Sequence, residues 1–173
     1  EIDLVDTWRT MIEILHSGRV RAIGVSNYQP EHLHRIVEAT GVVPAVNQIE
    51  LHPWLIQSEL RSVHAQMGIA TQSWSPLGRG GLLTEPTIVE IAKALGTSPA
   101  QVIIRWHLDR GFVVIPKSKT PERIESNFAA LGILGEVRDD GGQRHGPCAQ
   151  VDAGVGLEAG QQGVVGGRGL GLV

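Results

Sequence analysis

With 173 residues, a formal charge of −3 and 42 % hydrophobic residues, the chain has the size and balance of one ordinary globular domain. Its cations are scattered, and the densest group, Lys117, Lys119 and Arg123, is too small for the broad basic face a nucleic acid requires; it suits a small anion better. No run of about 18 apolar residues is present to span a bilayer, no charged-then-apolar signal opens the chain, and the lone Cys148 has no zinc-spaced Cys or His around it. The expectation is therefore a cytoplasmic protein that uses no nucleic acid, membrane, disulfide or metal.

The chain opens at Glu1 rather than at Met, which leads us to expect an upstream portion. From Leu4 to Leu15 the residues Leu4, Val5, Trp8, Met11, Ile12 and Leu15 recur at helical spacing, and Gly18 ends that amphipathic helix. Val20 to Val25 is short and apolar and stops at Ser26-Asn27, as expected of a buried strand with polar residues at its C-terminal end. Pro30 opens the next helix, to about Ala39, and Gly41 closes it. Ala45 to Glu50 reads as a second strand. A helix from about Ser58 to Gln66, with Ser58 as N-cap, leads to a third strand from Ile69 to Ser73. Gly78, Gly80 and Gly81 loosen the following loop. Two helices come next, Pro86 to Leu95 and Pro99 to Leu108, the second opened by Ser98 and Gln101 in the spacing of a capping box. Phe112 to Pro116 is a fourth strand, and Thr120-Pro121 starts a last helix reaching about Leu131.

Strands alternating with helices imply an α/β fold with a parallel sheet covered by helices. The pattern does not separate a barrel from an open doubly wound sheet, but in both the ligand meets the C-terminal ends of the strands. Those ends are Ser26-Asn27, Gln48, Trp74-Ser75 and Lys117-Ser118. The segment from Ile115 to Arg123 joins a strand end to a helix N-terminus, where free N–H groups, the helix dipole, Lys117, Lys119 and Arg123 can converge on a phosphate. The competing reading of the same charges is a solvated helix start. Trp74 is placed to stack on a planar ring or to fill core, and Ser26-Asn27 and Gln48 can grip a carboxamide or serve as turn and buried amides. His32 and His34, two apart on a helix, face different ways and share no metal; His52, before Pro53, reads as a loop or supporting residue rather than a base.

Gly24-Val25-Ser26-Asn27, Asn47-Gln48-Ile49-Glu50-Leu51-His52-Pro53, Trp74-Ser75-Pro76-Leu77-Gly78 and Ile115-Pro116-Lys117-Ser118 together resemble the aldo-keto reductase family, in its order and at about its spacing. The likeness covers nearly all of residues 1 to 131 and leans toward the bacterial 2,5-diketo-D-gluconate and methylglyoxal reductases, with Trp74 where many relatives have a stacking Tyr. The resemblance implies the C-terminal half of a (β/α)8 TIM barrel, strands five to eight, that binds NADP (as NADPH) and reduces small carbonyl compounds. It implies that Ser26, Asn27 and Gln48 hold the nicotinamide carboxamide and that Trp74 stacks on the ring. Ser75, Leu77 and Arg79 would line the pyrophosphate, Lys117, Ser118, Thr120 and Arg123 would bind the 2'-phosphate, and Asn127 would reach the adenine. The family's catalytic Asp, Tyr, Lys and His belong to the first four strands, so no catalytic residue is expected here; Tyr28 stands where the family does not use a Tyr as acid. The chain alone is expected to be inactive, with a non-catalytic NADP-binding module as the competing reading. A TIM barrel for another phosphorylated ligand would leave the Ser-Asn, Gln and Trp motifs unexplained.

After residue 131 the character changes. Residues 132 to 173 are rich in glycine, lack aromatic residues and show no period, which predicts a disordered tail or the product of a frameshift. The spacing Gly154-x-Gly156-x-x-x-Gly160 imitates a dinucleotide fingerprint, but no convincing strand precedes it.

Overall fold

The computed structural model describes residues 3–133 and, beyond them, 137–138, 144–145, 151 and 171–172. The architecture is α/β, built on a parallel sheet of four strands. In chain order the elements are α1 (Leu4–His16), β1 (Val25–Ser26), α2 (Pro30–Thr40), β2 (Val46–Glu50), α3 (Ser58–Met67), β3 (Ala70–Trp74), a 3₁₀ segment (Gly78–Thr84), α4 (Pro86–Ala94), α5 (Pro99–Asp109), β4 (Val113–Val114) and α6 (Pro121–Ala129). Short strands β5 (Val137–Arg138), β6 (Arg144–His145) and β7 (Gly171–Leu172) follow. The strand order is β4-β3-β2-β1-β7, with β1 parallel to β2 in the register Val25↔Asn47 and Ser26↔Gln48, and β7 antiparallel to β1; β5 and β6 pair separately.

Contacts divide the chain into two compact units, Glu1–Ile49 with Gln57–Gln72 and Val164–Val173, and Glu50–Ile56 with Ser73–Gly163. The first unit buries Val5 and Trp8 of α1 and Leu33 and Ile36 of α2, residues spaced so that each helix turns one apolar face inward. The Trp8 indole N–H donates to Val42 O at 3.1 Å, so its ring is buried without stranding its polar atom. In the second unit α4 packs on α5, and α5 is buried on several sides through Val102, Ile103, Ile104 and Trp106. Each such side chain contributes roughly 1.5–3 kcal/mol on full burial. Helix α6 is different. Its stripe Ile124, Phe128 and, beyond the helix, Leu131 is 53 %, 74 % and 53 % exposed, and none of its residues is buried.

The expected helices are present within one or two residues, β4 (Val113–Val114) is shorter than the expected Phe112 to Pro116, and three other local readings are refined. The first strand was expected from Val20 but β1 begins only at Val25, after the exposed Val20, Arg21 and Ala22, and Gly24 sits too close to β2 for a side chain. A Cβ on Gly24 would stand 2.3 Å from Val46 Cγ1 and 2.7 Å from Val46 O. Ser58 is not the N-cap of α3: it is the first helical residue, and Gln57 caps in a left-handed conformation (φ 50). Thr120 does occupy the N-cap of α6 but its side chain makes no capping bond; instead its N–H donates to Ser118 Oγ at 3.1 Å. The capping box at Ser98 and Gln101 forms as expected. Of the expected tail, 132–173, most residues lie outside those described, Cys148 and the glycine spacing at 154–160 among them.

Candidate functional site

Within the first unit, β1 and β2 end side by side and deliver Ser26, Asn27 and Gln48 to one place. The Ser26 hydroxyl donates to Gln48 O at 2.9 Å, and the Asn27 N–H donates to the same oxygen at 2.9 Å. Asn27 turns the chain out of β1 in a left-handed conformation (φ 61), one that Asn tolerates better than most residues. The Gln48 side-chain amide donates to Gln72 Oε1 on β3. Hydroxyl and amide groups thus converge at the C-terminal ends of parallel strands, the groups that a carboxamide ligand can exchange hydrogen bonds with.

Beneath this cluster lies a polar core that sequence reasoning missed. Asn47 is wholly buried on β2; its Oδ1 accepts from the Tyr28 N–H at 3.3 Å and its Nδ2 donates to Tyr28 O at 2.8 Å. The same Nδ2 lies 3.0 Å from His64 Nε2, and His64 Nδ1 lies 2.8 Å from Thr71 Oγ1. Burial pushes the His64 imidazole down to about 4, so it is neutral at physiological pH. Tyr28 itself is buried and its ring packs edge-on against His32; desolvation raises its hydroxyl above the usual range. His32 accepts the Gln29 N–H at 3.1 Å and so closes the start of α2.

In the second unit, Trp74 ends β3 half-buried, and Ser75, Leu77 and Arg79 follow in a turn with an unusual backbone. Ser75 (φ 48), Gly78 (φ 54), Arg79 (φ 53) and Gly80 (φ 92) are all left-handed. Trp54 roofs this turn: a Cβ on Gly81 would stand 2.9 Å from its ring, so glycine there is a matter of space. The Arg79 guanidinium lies 4.0 Å from Glu50 Oε1, and His52 Nε2 lies 3.7 Å from the same oxygen. Burial, with a smaller contribution from Arg79, lowers the affinity of His52 for a proton. His107 on α5 is likewise lowered by burial, although both its ring nitrogens face carbonyl oxygens, Ile103 O at 2.8 Å and Leu51 O at 3.0 Å.

Further along the same unit, the loop after β4 and the start of α6 carry Lys117, Ser118, Lys119, Thr120 and Arg123. Lys117, Lys119, Thr120 and Arg123 are exposed, Ser118 and Asn127 half-exposed. No carboxylate pairs with Lys117, Lys119 or Arg123 among the described residues. The free N–H groups at the start of α6 add to an electrostatic environment that favours an anion. Among the described residues no cluster of His, Cys, Asp and Glu could hold a metal ion, and no helix is long and apolar enough to cross a membrane.

Comparisons with known proteins agree with one another. The family model of the aldo/keto reductase family matches residues 2–134. An aldo-keto reductase of Mycolicibacterium smegmatis is 60 % identical over 124 residues, which are 72 % of this chain and 45 % of that protein. Methylglyoxal reductase DkgA of Salmonella typhimurium is 48 % identical over 152 residues, covering 83 % of this chain and 55 % of its own length. Among solved structures, a Gox0644 mutant in complex with NADPH is 44 % identical with a TM-score of 0.75, over 83 % of this chain and 56 % of that one. The chain spans about half the length of the relatives it matches. The four linked motifs, the alternating α/β order and the family match converge: this chain belongs to the aldo/keto reductase family.

Proposed function

We propose that the chain supplies the NADP-binding part, strands five to eight, of a (β/α)8 reductase that converts small aldehydes and ketones to alcohols in the cytoplasm. The observation that carries this reading is the Ser26, Asn27 and Gln48 cluster, whose hydroxyl and amide groups lie together at strand ends. In the assignment, these three residues hold the nicotinamide carboxamide and Trp74 stacks on its ring. Ser75, Leu77 and Arg79 line the pyrophosphate. Lys117, Ser118, Thr120 and Arg123 hold the 2'-phosphate, and Asn127 reaches the adenine. The donor set fits the group: neutral amides and a hydroxyl suit the uncharged carboxamide, exposed cations at a helix start suit the phosphate. NADPH, when bound, supplies the hydride.

The proton for the carbonyl oxygen is assigned to no residue described above. Tyr28 is 1 % exposed and held in the core beside Asn47. The reading therefore places residues 1–131 in cofactor binding, assigns no function to 132–173, and makes the chain by itself inactive. The relative named a methylglyoxal reductase makes that compound the first substrate to try.

Fluorescence titration of the full chain with NADPH and with NADH tests the reading. Binding of NADPH in preference to NADH is expected; failure to bind NADPH would overturn it. Methylglyoxal-dependent NADPH consumption is expected to be absent. Turnover of about 1 per second or more would show that the acid lies in this chain after all.

A further inference from the structure

We propose that Asn47, backed by His64 and Thr71, is a positioning residue for Ser26 and Asn27 that sets affinity for the nicotinamide end of the cofactor without touching it; this rests on the NADP reading above. The Asn47 amide spans the Tyr28 peptide as a neighbouring strand would, accepting from its N–H and donating to its carbonyl. Tyr28 directly follows the left-handed Asn27, whose own N–H is taken by Gln48 O. Asn27 is thus pinned on both sides, before by β2 backbone and after by a β2 side chain, and the strained conformation has little freedom to relax. A ligand meeting groups already fixed loses less entropy on binding.

The second layer fixes Asn47. Because Nδ2 can only donate, and gives one proton to Tyr28 O, its other proton points to His64 Nε2, which must accept. His64 is then the tautomer with its proton on Nδ1, donating to Thr71 Oγ1. Asn47 is wholly buried, His64 is 1 % exposed and Thr71 8 %, so no solvent is at hand to replace a lost partner. A histidine without this arrangement would leave an Nδ2 proton of Asn47 unsatisfied and weaken the hold on the amide. None of the three side chains is within the set assigned to the cofactor, and their partners are one another and the peptide after Asn27.

The test compares two ligands on the full chain by calorimetry: NADPH, and 2'-phospho-ADP-ribose, which keeps the phosphates and adenine but lacks nicotinamide. His64→Leu is expected to weaken NADPH about 10-fold to 100-fold while leaving the fragment within about 2-fold. His64→Gln, whose amide can accept from Asn47 and donate to Thr71, is expected to recover most of the loss. Equal weakening of both ligands, or no weakening of NADPH, would overturn the proposal by reducing His64 to a packing residue or to none. Should His64→Leu fail to fold, ¹⁵N NMR of the unaltered chain decides: the proton is expected on Nδ1, and a proton on Nε2 overturns the relay. An unaltered chain that binds NADPH no more tightly than the fragment refutes the inference alone. One that binds neither refutes the NADP reading and takes the inference with it.

Discussion

Around Ser26, Asn27 and Gln48 the polar groups already have protein partners, whereas around Lys117, Lys119 and Arg123 the cations stand exposed with no carboxylate paired to them among the described residues. One region is organised by hydrogen bonds within the protein; the other presents exposed charge. The difference teaches where a substitution should be felt. In the first region, geometry and stability are coupled, because the same buried groups serve both. In the second, ligand affinity can change while the fold is indifferent.

The largest expected effect is therefore in the exposed region. A hydrogen bond to a charged group contributes roughly 1.5–3 kcal/mol, so Lys117→Ala with Arg123→Ala should remove about 3–6 kcal/mol of NADP affinity, on the order of 100-fold to 10,000-fold. Stability should stay within about 0.5 kcal/mol, and NADH affinity should change far less than NADPH affinity. An unchanged NADPH-to-NADH ratio in the fluorescence titration would erase the distinction between the two regions.

Next comes acid, which should act on the buried region first. His64 titrates at about 4 when folded against 6.5 when exposed, so between these values the unfolded chain binds more protons than the folded one. Stability is then fully present above pH 6.5 and falls as the pH drops toward 4, by about 3 kcal/mol. His52 and His107, both lowered by burial, act with the same sign. Urea unfolding at pH 7 and pH 4 measures it, and His64→Gln should flatten the dependence. A pH-independent midpoint would mean His64 is not buried as a neutral group.

Smaller still is the effect of a single methyl group. Gly24→Ala would drive a Cβ against Val46 Cγ1 and the Val46 carbonyl oxygen, the latter part of the backbone and unable to swing aside. A loss of about 1–3 kcal/mol is expected, read in a thermal melt together with weaker NADPH binding, because β1 carries Ser26. The smallest effect belongs to Ser118→Ala, which removes an exposed hydroxyl accepting the Thr120 N–H; about 1 kcal/mol or less of stability should go. If Ser118→Ala destabilised the chain more than Gly24→Ala, the division into a locked and an open region would be drawn in the wrong place.

The two regions were also unequally legible in the sequence. Lys117, Lys119 and Arg123 declare themselves within seven residues, because charges and a helix start need only local spacing to be read. Helix faces were equally open: Val5 with Trp8 and Leu33 with Ile36 are inside as their periodicity requires. The relay Asn47, His64, Thr71 was not, since its members lie 17 and 7 residues apart and meet only when strand and helix pack. One signal was available. Alternation along β2 places Asn47 on the same buried face as Ile49, and an amide in a core register asks for partners. The need for glycine at position 24 was hidden for a related reason: the close approach is to a residue twenty-two positions away. Trp54 escaped notice too, because its role over Gly78 and Gly81 depends on a turn bringing two loops together.

Arg79 combines a charge with a left-handed backbone, and that pairing constrains what the position can become. An arginine in an unfolded chain seldom visits φ near +50, so each folding event must select a rare local state worth roughly 1–2 kcal/mol. Glycine would visit it freely and relieve that selection, yet it would discard the guanidinium. Lysine would keep a charge and also keep the strain. Random drift at this position therefore has no step that improves foldability without surrendering a cation, and an engineer seeking a hardier chain would do better to leave residue 79 alone and work on the exposed face of α6.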